Sequence, residues 1–193
     1  DSRRVLTVVA RRQGVSTRQL LEWADRPGYD VLELPRRLGF TELFGLETVS
    51  LRYFNVYGPR QDPDSAYAAV IPKFIAALRA GEPPVIHGDG GQSRDFAFID
   101  DVVAANLAAA TAPTDRCAGK AYNVAGGSER SLLEMLEILG GILGVEVAPT
   151  HVEPRPGDVR HSFADTSAAH ADLGWSPALD FAEGLRRTVD WFR

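Results

Sequence analysis

The chain has 193 residues, 45% hydrophobic and 24% charged, enough for one domain with a substantial core or for part of a larger one. Its net charge of −5 argues against a nucleic-acid or anionic-membrane surface. A single cysteine, Cys117, excludes an intrachain disulfide, and neither a charged-then-apolar leader nor an apolar run of about 18 residues occurs, so a cytoplasmic chain with no membrane partner is expected. The first residue is Asp1 instead of Met, as in a fragment or processed chain.

Residues 1–39 differ from the rest. They hold eight arginines, no lysine and five acids, a balance of +3 that leaves −8 for the remainder. Val5 to Val9 reads as a strand, and Ser16-Thr17-Arg18-Gln19 as a capping box before a short helix through Trp23. The doublets Arg3-Arg4, Arg11-Arg12 and Arg36-Arg37 read as solvated surface before they read as an anion site. Thr48 to Phe54 is a β-branched and aromatic strand that runs into the stop Tyr57-Gly58-Pro59. Open α/β sheets take ligands at the carboxyl ends of their strands, which would put Asn55, Tyr57 and Arg60 on the useful edge. The pattern alone fits a buried strand with an ordinary turn equally well.

Farther on, Ile71, Phe74, Ile75 and Leu78 mark one helical face, with Pro72 near its start and Gly81 at its end. Pro84-Val85-Ile86 reads as a short strand into the turn Gly88 to Gly91, and Phe96 to Ile99 as another strand. Asp100-Asp101 then open an alanine-rich helix to about Ala112. Ala121 to Val124 is a strand closed by Gly126-Gly127. Ser131 and Glu134 form a capping box for a helix whose apolar face runs from Leu132 to Leu143. Val145 to Val152 reads as a strand interrupted by Pro149, and Asp165 as the cap of a short helix ending at Gly174. Phe181, Leu185, Val189 and Phe192 build the last helix. Strands alternating with helices mean an α/β layered fold.

Four ordered blocks carry more than any single motif. They are Arg52-Tyr53-Phe54-Asn55-Val56-Tyr57-Gly58-Pro59-Arg60-Gln61, Pro84-Val85-Ile86-His87-Gly88-Asp89-Gly90, Ser93-Arg94-Asp95-Phe96 leading to Ile99-Asp100-Asp101-Val102, and Pro154-Arg155-Pro156-Gly157-Asp158-Val159-Arg160-His161. From about Phe40 to Arg193 the chain resembles the extended short-chain dehydrogenases/reductases, the NAD-dependent nucleotide-sugar epimerase/dehydratase family, and within it the UDP-glucose 4-epimerase group. Gln61-Asp62-Pro63 followed by Tyr67 to Lys73 is most similar to members that act on UDP-N-acetylhexosamines. The resemblance implies the C-terminal portion of an extended Rossmann-like α/β fold: residues 1–39 do not resemble the family, and residues 40–193 would hold the last Rossmann strands and the substrate-binding domain. Family sequence resuming near Phe40 behind unrelated sequence is what a frameshift or truncation would produce.

The resemblance also assigns roles. Arg94 and Arg155 would hold a diphosphate, a task for which guanidinium supplies bidentate donors in a fixed fork. Asp158 would meet the ribose and Asn55 orient the sugar-phosphate. Val70 and Ile71 would meet the nucleoside, as would Val85 and Ile86 through backbone groups that read the uracil edge. His87 stands where an aromatic often stacks on the base, and Ser162 where a small residue leaves room for an N-acetyl group at sugar C2. Tyr53 and Phe54 would lie beside the nicotinamide of NAD, although as bare residues they read as core aromatics; for Arg94 and Arg155 the plain alternative is a surface ion pair. The intact family enzyme passes a hydride from sugar C4 to NAD and back to the other face while a tyrosine moves the hydroxyl proton, and it can pack as a homodimer through helices that include the catalytic one.

This chain lacks the parts that drive that reaction. No G-x-G-x-x-G or G-x-x-G-x-x-G turn occurs, and none of its five tyrosines is followed by lysine four residues on. Tyr29 meets Glu33 there, behind a helix-breaking Pro27-Gly28. No catalytic residue is therefore assigned, and little turnover is expected from the chain alone; a nucleotide-sugar binding module without catalysis, or a dehydratase or decarboxylase of the same family, is the alternative. His87, His151, His161 and His170 form no metal-type pair, and no G-x-S-x-G elbow exists.

Overall fold

The structure, a computed structural model, describes residues 6–10, 47–63 and 70–192. In chain order they form β1 (Leu6–Ala10), β2 (Thr48–Tyr53), α1 (Val70–Ala80), β3 (Val85–His87), β4 (Ser93–Asp95), α2 (Ile99–Thr111) and α3 (Thr114–Cys117). They continue with β5 (Ala121–Val124), β6 (Glu129–Ser131), α4 (Leu132–Leu143), β7 (Thr150–Val152), β8 (His161–Ser162), α5 (Ser167–Leu173) and α6 (Phe181–Trp191). The capping box at Ser16, Tyr29, the stretch from Phe40 to Leu46 and Tyr67 to Ala69 lie outside the described residues.

Two regions share the chain. The first is the sheet β1-β2-β5. Thr48, Val49, Ser50 and Leu51 are all buried, so both faces of β2 are covered, as a parallel α/β strand requires. β5 pairs with it in parallel, Ser50 opposite Ala121, and the intervening α2 makes the crossover that parallel pairing needs. The strand expected at Val5 to Val9 is present as β1, one residue later. It pairs antiparallel with β2, Leu6 opposite Arg52, and so covers one edge of that strand.

The second region stacks α1, α4 and α6 beside two small sheets, β3-β7 and β6-β4-β8. Its core contains Ile71, Ile75, Met135, Leu139, Leu185 and Val189, each essentially inaccessible. The Ser131 capping box is present: Ser131 Oγ accepts from the Glu134 N–H at 3.1 Å, and the Ser131 N–H donates to Glu134 Oε2 at 2.7 Å. α6 starts on Asp180, whose Oδ1 accepts from the N–H groups of Ala182 and Glu183 at 2.9 and 3.2 Å.

Several expectations need correction. Phe96 to Ile99 is not a strand. Phe96, Ala97 and Phe98 are all buried, without the alternation of a one-sided strand, and they cross between the two regions. Their backbone bonds go to the end of β2: the Ala97 N–H to Phe54 O, the Tyr57 N–H to Ala97 O and the Ile99 N–H to Tyr57 O. The strand of this block lies just upstream, as β4. In the stretch Val145 to Val152 only Thr150–Val152 is extended into a ladder, because β3 offers just three partners. Asp165 does support α5, its Oδ1 accepting from the Ser167 N–H at 2.8 Å, but the N-cap itself is Thr166. β6, β8 and α3 are too short, at two to four residues, for periodicity to reveal. No helix among the described residues is long and apolar enough to cross a membrane.

Candidate functional site

A cavity of about 470 Å³ opens between α1, the ends of β2, β3 and β4, and the segment joining β7 to β8. That volume is in the range of small-ligand sites. Its apolar wall is Val70, Ile71 and Phe74 of α1 with Val85 of β3. Residues 70, 73, 74 and 77 all reach it, the i, i+3, i+4, i+7 spacing of one helical face.

The polar side converges from four separate elements. Asn55 ends β2 at φ +37, a left-handed value that Asn tolerates better than most residues, and its Nδ2 donates to Asp95 O at 2.7 Å. Arg94 of β4 donates from Nη1 to Ser93 O at 2.8 Å and from Nη2 to Asp158 Oδ1 at 2.5 Å. Arg155 donates from Nη2 to His87 Nε2 at 3.1 Å, while His87 Nδ1 lies 3.1 Å from Glu153 O. That wiring fits the neutral tautomer with its hydrogen on Nδ1. Lys73 adds a further cation, and Asp158 is the acidic side chain of the lining.

Buried Asp95 holds this arrangement from below. Its carboxylate accepts from the N–H groups of Gly126 at 2.7 Å and Ala164 at 3.4 Å, tying β4 to the turn after β5 and to the chain after β8. Burial raises its pKa and these backbone donors oppose the rise. A Cβ on Gly126 would collide with the Phe96 carbonyl oxygen, so only glycine permits this approach.

Of the residues expected at a site, Asn55, Val70, Ile71 and Val85 line the cavity, together with His87, Arg94, Arg155 and Asp158. Arg94 is ion-paired to Asp158 and faces the cavity, whereas Arg155 faces it while bonded to His87. Ile86 is fully buried in the core, because side chains alternate along β3 between Val85 and His87. Ser162 stands opposite Arg94 in the β4-β8 ladder and is not part of the lining. Tyr53 donates from its hydroxyl to Asn106 Oδ1 at 3.0 Å, and Phe54 is buried against Ala125 and Ala164. Tyr57 also borders the cavity, but from within the core. It is 2% exposed, its ring packs on Phe98 and Phe181, and its hydroxyl donates to Phe181 O at 3.3 Å. Burial holds that hydroxyl well above its ordinary pKa, with Asp101 and Asp180 adding to the effect, so it is a core anchor. The sequence reading missed Lys73, Phe74 and Gln92; the helical spacing from Val70 was the available signal for the first two.

The structure has an α/β fold, the one it shares with extended Rossmann-like short-chain dehydrogenase/reductase epimerases. The chain belongs to the NAD dependent epimerase/dehydratase family, whose model matches residues 38–125. It is 40% identical over 154 residues to the UDP-glucose 4-epimerase of Mycolicibacterium smegmatis, covering 80% of this chain and 48% of that protein. It is 36% identical over 163 residues to the dTDP-glucose 4,6-dehydratase of Haemophilus influenzae, covering 77% of this chain and 46% of that one. Among solved structures, the UDP-N-acetylglucosamine 4-epimerase of Methanobrevibacter ruminantium, in complex with UDP-N-acetylmuramic acid, superposes with a TM-score of 0.73 at 45% identity, over 79% of this chain and 48% of that one. The chain spans about half the length of the curated relatives it matches.

Proposed function

We propose that this chain is the substrate-holding part of an NAD-dependent UDP-sugar 4-epimerase and that the cavity takes a nucleoside diphosphate sugar. The observation that carries this reading is the convergence of Arg94 and Arg155, from distant parts of the chain, on one cavity whose opposite wall is apolar. Two guanidinium groups suit a diphosphate and an apolar wall suits a nucleoside. Asp158 accepts hydroxyl donors, Asn55 orients the sugar-phosphate, His87 and Val85 flank the base, and Ser162 is assigned to the sugar C2 side by resemblance alone. The boundary near residue 40 belongs to the same proposal.

The described residues do not make an NAD site by themselves. Tyr53 offers part of a wall, Phe54 is already packed in the protein, and the sequence has neither the phosphate-cradling turn nor the Tyr-x-x-x-Lys pair. Hydride transfer is therefore not assigned to this chain. A second reading has its own support: relatives at 34% and 36% identity are dTDP-glucose 4,6-dehydratases, so a thymidine nucleotide and a dehydratase parentage are the alternative.

Calorimetric titration of UDP-N-acetylglucosamine into the 193-residue chain tests the proposal. Binding that falls roughly 100-fold or more in an Arg94→Ala, Arg155→Ala double variant is expected. A folded wild-type chain that releases no heat would refute independent substrate binding, and preference for dTDP-glucose would favour the second reading.

A further inference from the structure

Asp158 occupies the guanidinium that the cavity offers to an anion. Arg94 is the stationary partner in this pair. Its side chain is only 16% exposed, and its Nη1 is anchored to Ser93 O. Asp158 is the movable one, 37% exposed at the last position of the turn Arg155 to Asp158. Pro156 at the second position, Gly157 at the third with φ +78, and the Asp158 N–H to Arg155 O bond at 3.2 Å describe a type II turn. Residues 153–160 are exposed throughout. Polar contacts fasten this strap to the β3-β4 connection: Arg155 to His87, Asp158 to Arg94, and a two-pronged pair from Arg160 to Asp89 at 2.7 and 2.8 Å. An anion that takes both N–H donors of Arg94 Nη2 therefore has to displace Asp158, which holds one of them, and the exposed turn can swing without disturbing a core.

We propose that Asp158 is a specificity-determining residue that competes with the ligand for Arg94, so that the cavity rejects bare diphosphates and accepts diphosphates that carry neighbouring hydroxyl groups. This deepens the nucleotide-sugar reading of the cavity and rests on it. A displaced carboxylate can only accept hydrogen bonds. Inorganic pyrophosphate gives it no donor and sets a second negative charge beside it, which is unfavourable in a partly desolvated cavity. A hydroxyl-bearing ligand offers O–H donors to the freed carboxylate and restores a charge-assisted bond. Discrimination then comes from a penalty against the wrong anion as much as from attraction to the right one.

The sign of the effect separates this role from that of a simple ligand contact. Titrations of inorganic pyrophosphate and of UDP into wild-type and Asp158→Asn chains, at one low ionic strength, read it directly. Pyrophosphate should tighten about 10-fold in Asp158→Asn, the like-charge penalty having gone, while UDP weakens or stays level. Asp158→Ser repeats the comparison with a second neutral side chain, and circular dichroism checks that each variant is folded. UDP binding by wild type together with unchanged or weakened pyrophosphate in both folded variants would overturn the competition while leaving the cavity reading intact. No binding of either ligand to any of the three folded chains would overturn the cavity reading and the inference with it.

Discussion

The sheet region and the cavity region are packed by different means. Beneath β2 and β5 the core sets small side chains, Ala97, Ala105, Ala109, Ala112, Cys117 and Ala169, among larger ones such as Leu51, Tyr122 and Trp175, and the small ones let α2 and α5 lie close to the sheet. Beneath the cavity the aliphatic side chains of α1, α4 and α6 are joined by a cluster of rings: Tyr57 meets Phe98 and Phe181 edge-on at 5.4 and 5.5 Å, and Phe96 stacks on Phe181 at 5.4 Å. The same short segments serve both, since Phe54 to Tyr57 and Ala97 to Ile99 bond to each other where the regions meet. Small residues suit a layer whose geometry is set by backbone pairing, whereas large rings fill the irregular volume left where helices and short sheets meet at no fixed spacing. The polar groups of the cavity belong to neither core. Apart from Lys73 on α1 and Arg94 within β4, they sit on segments that end strands or join them, where the backbone is free to change direction.

The largest test of this contrast removes one buried side chain from each core. Leu185→Ala and Leu51→Ala should each lower stability by ~2–5 kcal/mol in urea unfolding, with the same single transition in both variants because the crossing segments bind the regions together. Two separated transitions, read by Trp175 fluorescence in the sheet core and by far-ultraviolet circular dichroism, would show that the regions fold independently.

A smaller effect is expected at the helix that opens beside the crossing. Asp101 is buried, and its carboxylate accepts from the N–H groups of Ala178 and Leu179 at 3.0 and 3.3 Å, while Trp175 Nε1 donates to Asp101 O. Asp101→Ala should cost on the order of 1–3 kcal/mol through those abandoned donors. Its neighbour Asp100 is exposed and only loosely paired with Arg187 at 3.7 Å, so Asp100→Ala should change the urea midpoint little. Equal losses in the two variants would show that both act merely as helix-start charges.

The smallest effect lies on the strap. The Arg160 hydrogen bonds, helped by the Gly91 N–H, lower the pKa of Asp89 from 3.8 to about 2. A depressed carboxylate stabilises the fold when ionised, fully above the unfolded value and progressively less as pH falls through the folded one. Wild type should therefore exceed Asp89→Asn slightly in stability above about pH 4, and the difference should shrink as pH falls and vanish only below about pH 2. A difference that stays undiminished as pH falls from about 4 to 2 would mean that Asp89 acts by shape instead of charge. Because the pair is exposed, added salt should shrink the difference.

Much of the fold was legible from the residues. β2, α1, α4 and α6 carry strong periodicity or caps, and each lies within a residue or two of its expected bounds. The crossing at Phe96 to Ile99 misled because three consecutive buried residues look like a strand and in fact fill two cores at once. The cavity was legible through its arginines, its apolar helix face and the strand end that carries Asn55 and Tyr57, but the residues did not show that Tyr57 would reach it only as part of the buried ring cluster. The positive φ of Asn55 redirects the chain between them, and a sequence carries only a weak mark of that.

Local chemistry set the helices, their caps, the buried strand and the presence of paired arginines in a defined order, because those depend on residues close in the chain. The tertiary structure decided what the charges do. Asp95 became a buried acceptor for backbone donors from two other segments, and Asp101 a pin for the loop before α6. Asp158 became the partner of Arg94 across 64 positions of sequence. An isolated carboxylate has no preferred partner until folding fixes which donors are within reach and how much water is removed from around it.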